Sequence, residues 1–252
     1  MNILPSACLA ILATTSASSA AVIRQTSFEN ETLGSLYVDT SDPNIEHALV
    51  NNPGQSIVNS TVTTELGYNA IFEPIRDPSI GLSNGGPVGV VSNPAPPQPF
   101  TDGSQGYQIS NTNGGFFLNF ETISLAGVEN PTLSFDFFLT ETNWTLDDAI
   151  AITISDPVNF VSIEVIPDTF LTGTDIDDLL FNGLDAEGQW HSASIDLSSL
   201  AFAELQVFLD TDTTNKALFL DNVVFKSNPI PEPSTLALLS GLLLTSVVRR
   251  RH

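Results

Sequence analysis

The chain has 252 residues, 29 acidic against seven basic side chains for a net charge of −22, and a single cysteine. A body this acidic repels phosphate backbones and anionic lipid surfaces, which excludes nucleic acid as a partner. One cysteine cannot form a disulfide framework, so the fold must rest on a packed core.

Residues 1–20, MNILPSACLAILATTSASSA, place an apolar stretch before a run of small residues. That layout predicts a secretory signal peptide, read by the secretion translocon and cut near Ala20 or Ala21. Cys8 lies ahead of most of the apolar stretch, the wrong side for lipidation, and the mature chain then has no cysteine. The body spans residues 21–228, with Arg24, Arg76, Lys216 and Lys226 as its basic residues, and of all the acids only Glu232 lies outside it.

Within the body, residues 115–121, 132–140, 149–155, 160–166 and 203–210 alternate apolar and polar side chains, the period of a strand with one face in a core. Phe138 falls on the opposite face from Leu133, Phe135, Phe137 and Leu139, which predicts partial cover there too. Residues 217–225, ALFLDNVVF, are apolar on both faces and predict a central strand. Asn/Gly/Pro clusters at 51–54, 84–87, 111–115 and 183–188 separate the runs, and no helical period is sustained. The stretch 74–104 holds Pro74, Pro78, Pro87, Pro94, Pro96, Pro97 and Pro99; it reads as a long loop inside one domain, with an interdomain linker as the alternative. Many short strands separated by turns, without a βαβ rhythm, predict an all-β fold, an antiparallel sandwich or barrel.

Residues 229–252 read PIPEPSTLALLSGLLLTSVVRRRH. Pro231 and Pro233 flank Glu232 in a hinge that continues neither strand nor helix. The thirteen uncharged residues 236–248 follow, and then Arg249, Arg250 and Arg251. As a helix the run spans about 20 Å against a hydrocarbon layer of about 30 Å, a marginal transmembrane segment. The arginines keep the chain end cytoplasmic and the body outside. This hinge, run and arginine cluster resemble the PEP-CTERM sorting signal. The resemblance implies recognition by the membrane protease exosortase, transient anchoring in the inner membrane, and a final place at the cell surface or outside the cell, commonly with exopolysaccharide.

Two further features concern sites. Ser27-Phe28-Glu29-Asn30 is expected to open the first strand and Leu220-Asp221-Asn222-Val223 to lie in the last. The pair resembles the jelly-roll sandwiches of carbohydrate-binding modules and galactose-binding-like domains, a resemblance that implies an antiparallel jelly-roll-like β-sandwich for the body. That resemblance implies Glu29 and Asp221 as oxygen ligands of a structural Ca²⁺; carboxylates capping loop amides are the alternative. Trp144 and Tyr107, both in polar stretches, are expected to stack on sugar rings if exposed, with packing in the core as the alternative; Tyr68 is a further candidate, and Trp190 reads as core. Asp175-Ile176-Asp177-Asp178 lacks the glycine and closing glutamate of an EF-hand and reads as a solvated turn. Asp148 is placed to fix the loop before the 149–155 strand.

Catalytic patterns are thin: His47 and His191 lack metal-ligand spacing, no Gly-x-Ser-x-Gly elbow occurs, and paired carboxylates for glycoside hydrolysis stay open among the 28 acids of the body although nothing selects a pair. The expected function is a non-catalytic exported surface or matrix protein associated with exopolysaccharide. The alternative is a secreted glycan-processing enzyme on the same scaffold.

Overall fold

The computed structural model describes residues 20–30, 37–38, 47–48, 50–51, 64–73, 88–92, 97–112, 114–211, 213 and 215–228. Residues 1–19 of the expected signal peptide and the whole sorting tail, with Pro231, Glu232, Pro233 and Arg249–Arg251, lie outside the described residues. Among the described residues no helix is long and apolar enough to cross a membrane.

Alternation of apolar and polar side chains produces eleven main strands: β1 (Ala21–Thr26), β2 (Tyr68–Glu73), β3 (Val88–Ser92), β4 (Gln105–Ser110), β5 (Gly115–Phe120), β6 (Pro131–Leu139), β7 (Ala149–Asp156), β8 (Val161–Ile166), β9 (Trp190–Asp196), β10 (Phe202–Asp210) and β11 (Ala217–Ser227). All pair antiparallel. The first sheet runs β9-β6-β11-β4-β3, with β1 added to β11, and the second runs β8-β7-β10-β5-β2. Short pairs extend the second sheet at 47–48, which joins β2, and at 123–124, which joins β10.

The two sheets bury one shared core. Phe135, Phe137, Leu218 and Phe225 enter it from the first sheet, and Phe72, Phe116, Ile152 and Val207 from the second. Tyr107 of β4 meets Tyr68 of β2 edge-on across the interface at 5.6 Å. The architecture is therefore a β-sandwich. As the two-sided apolar pattern predicted, β11 is central. Phe138 is also buried on the outer side of the first sheet, beneath Phe100 and beside Phe219 and Trp190. Trp190 thus packs in this second cluster and not in the main core.

The start of the body differs from expectation. β1 ends at Thr26, and residues 27–30 form a turn where a strand was predicted to open. The Thr26 hydroxyl accepts the Phe28 backbone N–H, and Phe28 adopts φ +61°. That conformation breaks the ladder and drops the ring between Tyr68 and Tyr107, 5.6 Å from each. The proline-rich stretch also contains β3, which joins the first sheet through β4, while β2 before it belongs to the second.

One crossing element matters for the site. Between β8 and β9 the chain forms a four-residue helix α1 (Thr169–Thr172), capped by the Asp168 carboxylate and by Gly173 at φ +67°, then a single 3-10 turn and a hairpin pairing 180–181 with 184–185.

Phe28 closes the joint between the sheets, so Phe28→Ala is expected to lower unfolding free energy by about 3–5 kcal/mol in chemical denaturation.

Candidate functional site

The second sheet has a polar outer face ordered by its register. Thr153 of β7 stands opposite Glu164 of β8 and opposite Gln206 of β10. Gln206 in turn faces Asn119 of β5, and Asn119 faces Asn69 of β2. Five strands therefore line up Glu164, Thr153, Gln206, Asn119 and Asn69 in one row, about 19 Å long at strand spacing. The next row on the same face is apolar: Ala151, Phe208, Phe117 and Ile71 occupy successive strands.

Physical chemistry explains both rows. Each strand sends its large apolar residues inward, so Leu118, Leu205, Val207 and Ile152 are buried and the intervening side chains face out. Gln206 donates from Nε2 to Asn119 Oδ1 at 2.8 Å, which holds the two amides in the plane of the face. Phe117 and Phe208 lie 4.8 Å apart, inclined by 38°, with Phe208 buried and Phe117 partly exposed beside it. A groove of about 260 Å³ runs over Phe117, Phe208, Ala151, Thr153, Gln206 and Glu164, bounded at one end by Asp168 and Leu171. Such a surface offers hydrogen-bond donors and acceptors along one row and hydrocarbon along the other. A polyhydroxylated ring, with C–H faces and equatorial hydroxyls, matches both.

The expected sugar-stacking residues are elsewhere. Trp144 is 2% exposed and Tyr107 is 0% exposed. The Trp144 indole N–H donates to the Thr140 carbonyl at 3.0 Å, and Tyr107 packs against Phe28 and Tyr68. The packing alternative holds for both rings, because each enters the core from a polar stretch. Tyr68 is buried in the same group.

Glu29 and Asp221 do grip one element, the loop 101–105. Asp221 sits in β11 where that strand exchanges β1 for β4 as its neighbour, and there the β6 ladder slips between Ser134 and Asp136. Asp221 Oδ2 accepts from the Asp102 N–H at 2.8 Å and the Thr101 hydroxyl at 3.0 Å. The same hydroxyl lies 2.7 Å from Asp136, which also accepts from Asn222 and Ser192. Glu29 accepts from the Ser104 and Gln105 N–H groups. Gly103, at φ +74°, has no room for a Cβ beside the Glu29 carboxylate. Burial pushes the Asp221 carboxyl up to about 6, against the lowering effect of its Asp102, Thr101 and Asn222 donors. This is the amide-capping alternative. Calcium takes six to eight oxygens, whereas these carboxylates are engaged by N–H and O–H donors. Among the described residues no group of three or more histidine, cysteine or acidic side chains is arranged to hold a metal.

The remaining candidates resolve as local structure. Asp175 caps the 3-10 turn, and Asp177 Oδ1 accepts the Trp144 backbone N–H at 3.0 Å. Asp148 accepts from Thr145 and pairs with buried Lys216 at 2.8 Å, fixing the loop before β7. His191 stacks on Phe137, with Nε2 2.9 Å from the Asp185 carbonyl oxygen.

Sequence reading missed an acidic cavity of about 370 Å³ lined by Glu141, Thr142, Asp177, Asp185, Glu187, Gly188 and Gln189. Burial pushes the Glu187 carboxyl up to about 8, helped by nearby Asp177 and Asp185 and opposed by the Thr142 N–H.

No known protein family matches the sequence. No curated protein matches it either. Among solved structures, the chain is similar to TmCBM61 in complex with beta-1,4-galactotriose (14% identity, 50% of this chain and 72% of that chain, TM-score 0.31). It is also similar to the K1 cleaved adhesin domain of Lys-gingipain from Porphyromonas gingivalis W83 (14% identity, 84% and 100% covered, TM-score 0.38). The K2 cleaved adhesin domain of Lys-gingipain matches at 12% identity, with 82% and 99% covered and a TM-score of 0.37.

Two outcomes follow. Amide capping predicts that a chelator leaves the melting temperature unchanged; a fall on chelation, restored by calcium, contradicts it. Glu187 holds its proton in the folded chain while the unfolded chain ionises near 4.5, so its contribution to stability is complete below that pH and is lost as pH rises toward about 8. Glu187→Gln should therefore melt with the parent at pH 4 and above it at pH 9.

Proposed function

We propose that this chain is an exported, exosortase-processed surface or extracellular-matrix protein whose jelly-roll-like body binds exopolysaccharide without catalysis. The route is read from the N-terminal apolar segment and the Pro-Glu-Pro, apolar and arginine order of residues 231–251. The binding role rests on one observation, the paired rows on the outer face of the second sheet. An extended glycan lying across the strands would stack a ring on Phe117, which Phe208 flanks, and would hydrogen-bond along Gln206, Asn119, Asn69 and Thr153. Glu164 within the row, Asp168 at the rim and a net charge of −22 favour an uncharged polysaccharide over a uronate or sulfated one.

A second reading has its own observation. Glu187, with its carboxyl near 8, is protonated at neutral pH beside Asp177 and Asp185 in an open cavity. A glycan-processing enzyme needs a proton donor of that kind facing a second carboxylate.

Binding of neutral and acidic oligosaccharides to the purified chain separates these readings. Phe117→Ala and Gln206→Ala are each expected to weaken binding of a neutral glycan at least tenfold, about 1.4 kcal/mol, with the melting temperature little changed. Binding unaffected by either substitution removes the face as the site. Turnover of a bound glycan, abolished by Glu187→Gln, supports the enzyme instead.

A further inference from the structure

The turn joining β7 to β8 carries an aromatic ring in open solvent on a rigid mount. Phe160 is 93% exposed, with Val158 and Val161 exposed on either side. It adopts φ +55°, a conformation that costs energy for a residue with a Cβ. The buried Asp156 carboxylate enforces it. Asp156 accepts from the Val158 and Asn159 N–H groups and the Asn159 side chain, and from Ala201 and Phe202 across the sandwich end. Burial alone would raise this carboxyl, but the Asn159 side chain and the three backbone N–H groups of Asn159, Phe202 and Ala201 outweigh it and hold it below the usual carboxylate range. From Pro157 to Ile163 no side chain carries charge, in a chain of net charge −22.

The turn sits at a particular end of the molecule. Ala201 also accepts, through its carbonyl, the Leu125 N–H, and Leu197 donates to Pro131 at the start of β6. Pro131 pairs with Ser227 at the end of β11, and Ser227 pairs with Ala21 at the start of β1. Asn228, the last described residue, bonds to Glu129 and Asn130. Both chain continuations, toward the apolar segment before residue 20 and toward the apolar run 236–248, therefore leave from the end that carries Phe160. Seven residues, 229–235, separate Asn228 from that run. Fully extended they reach about 25 Å. Val22, another exposed apolar residue, lies at this end as well.

We infer that the Val158–Phe160–Val161 turn is a lipid contact that seats the body on the bilayer surface while the apolar tail is embedded. This inference rests on the reading of the tail given above. The occupant is the interfacial layer of a zwitterionic bilayer: an uncharged apolar tip enters it, whereas anionic headgroups are repelled by the acidic body. The rigid mount lowers the ordering cost of that contact, because the turn need not be fixed on binding.

The test uses the full chain with Cys8→Ser and Phe160→Cys bearing a nitroxide, reconstituted into vesicles of phosphatidylcholine and phosphatidylethanolamine. Leu146→Cys, in the β6–β7 loop at the opposite end, is the control, and Val158→Cys repeats the measurement without altering the residue at positive φ. Relaxation by oxygen is expected to exceed relaxation by an aqueous nickel chelate at 158 and 160, with the reverse at 146. Vesicle-bound chain whose labels at 158 and 160 give the aqueous profile of 146 overturns the inference and leaves the tail reading standing. Chain that does not partition into the vesicles overturns both.

Discussion

The outer face of the second sheet depends on a strand register that holds without a slip across β7, β10, β5 and β2. Side chains alternate between faces with a period of two, so a one-residue slip in any of these strands would exchange its buried and outward sets. Burying Leu118 and Val207 fixes Asn119 and Gln206 outward, and pairing then sets them side by side. Phe117 and Phe208 follow from the same alternation two residues along. The face is thus a by-product of core burial ordered by alignment: residues of like chemistry meet at the same level on neighbouring strands.

The first sheet solves a different problem. β11 is too long for one neighbour on its free edge, so β1 covers its C-terminal half and β4 its N-terminal half. The gap between them falls at Asp221, and the loop 101–105 closes it through hydrogen bonds to Asp221, Asp136 and Glu29. The chain is rich in carboxylates and poor in cations, and here as elsewhere it satisfies acids with N–H and O–H donors. Asp156, Asp168, Asp175 and Asp196 each accept backbone amides at turns. Ion pairs such as Lys216–Asp148 and Arg24–Glu121 supplement that scheme. An acidic composition is compatible with a compact fold because so many of the acids are structural acceptors.

Much of the strand content was legible because residues 115–121, 132–140, 149–155 and 203–210 alternate strongly, and β11 was legible as central because it is apolar on both faces. β2, β3 and β4 were not: Tyr68–Glu73 mixes Asn69 and Glu73 into a short run, and Val88–Ser92 lies among prolines and glycines. The turn at Phe28 was read as a strand because its positive φ has no signature in the residue type. Trp144 and Tyr107 stood in polar stretches, yet their rings close the core; polarity of neighbours reports the backbone's surroundings and not the direction of one side chain. The proposed binding face was illegible for a plain reason. Its rows join residues from positions 69 to 206, and only the order of strands in the sheet brings them together.

The two ends of the sandwich differ in character. One gathers the loops around Asp148 and Thr112, and the other carries both chain continuations and the apolar turn at Phe160. The outer face of the second sheet lies between them. The most direct measurement of the central claim is the response of the side-chain amide resonances of Asn69, Asn119 and Gln206 as a neutral oligosaccharide is titrated into the protein. A glycan lying along the row moves all three together while the buried Trp144 indole resonance stays in place; a ligand that binds with these amides unmoved rules out that placement.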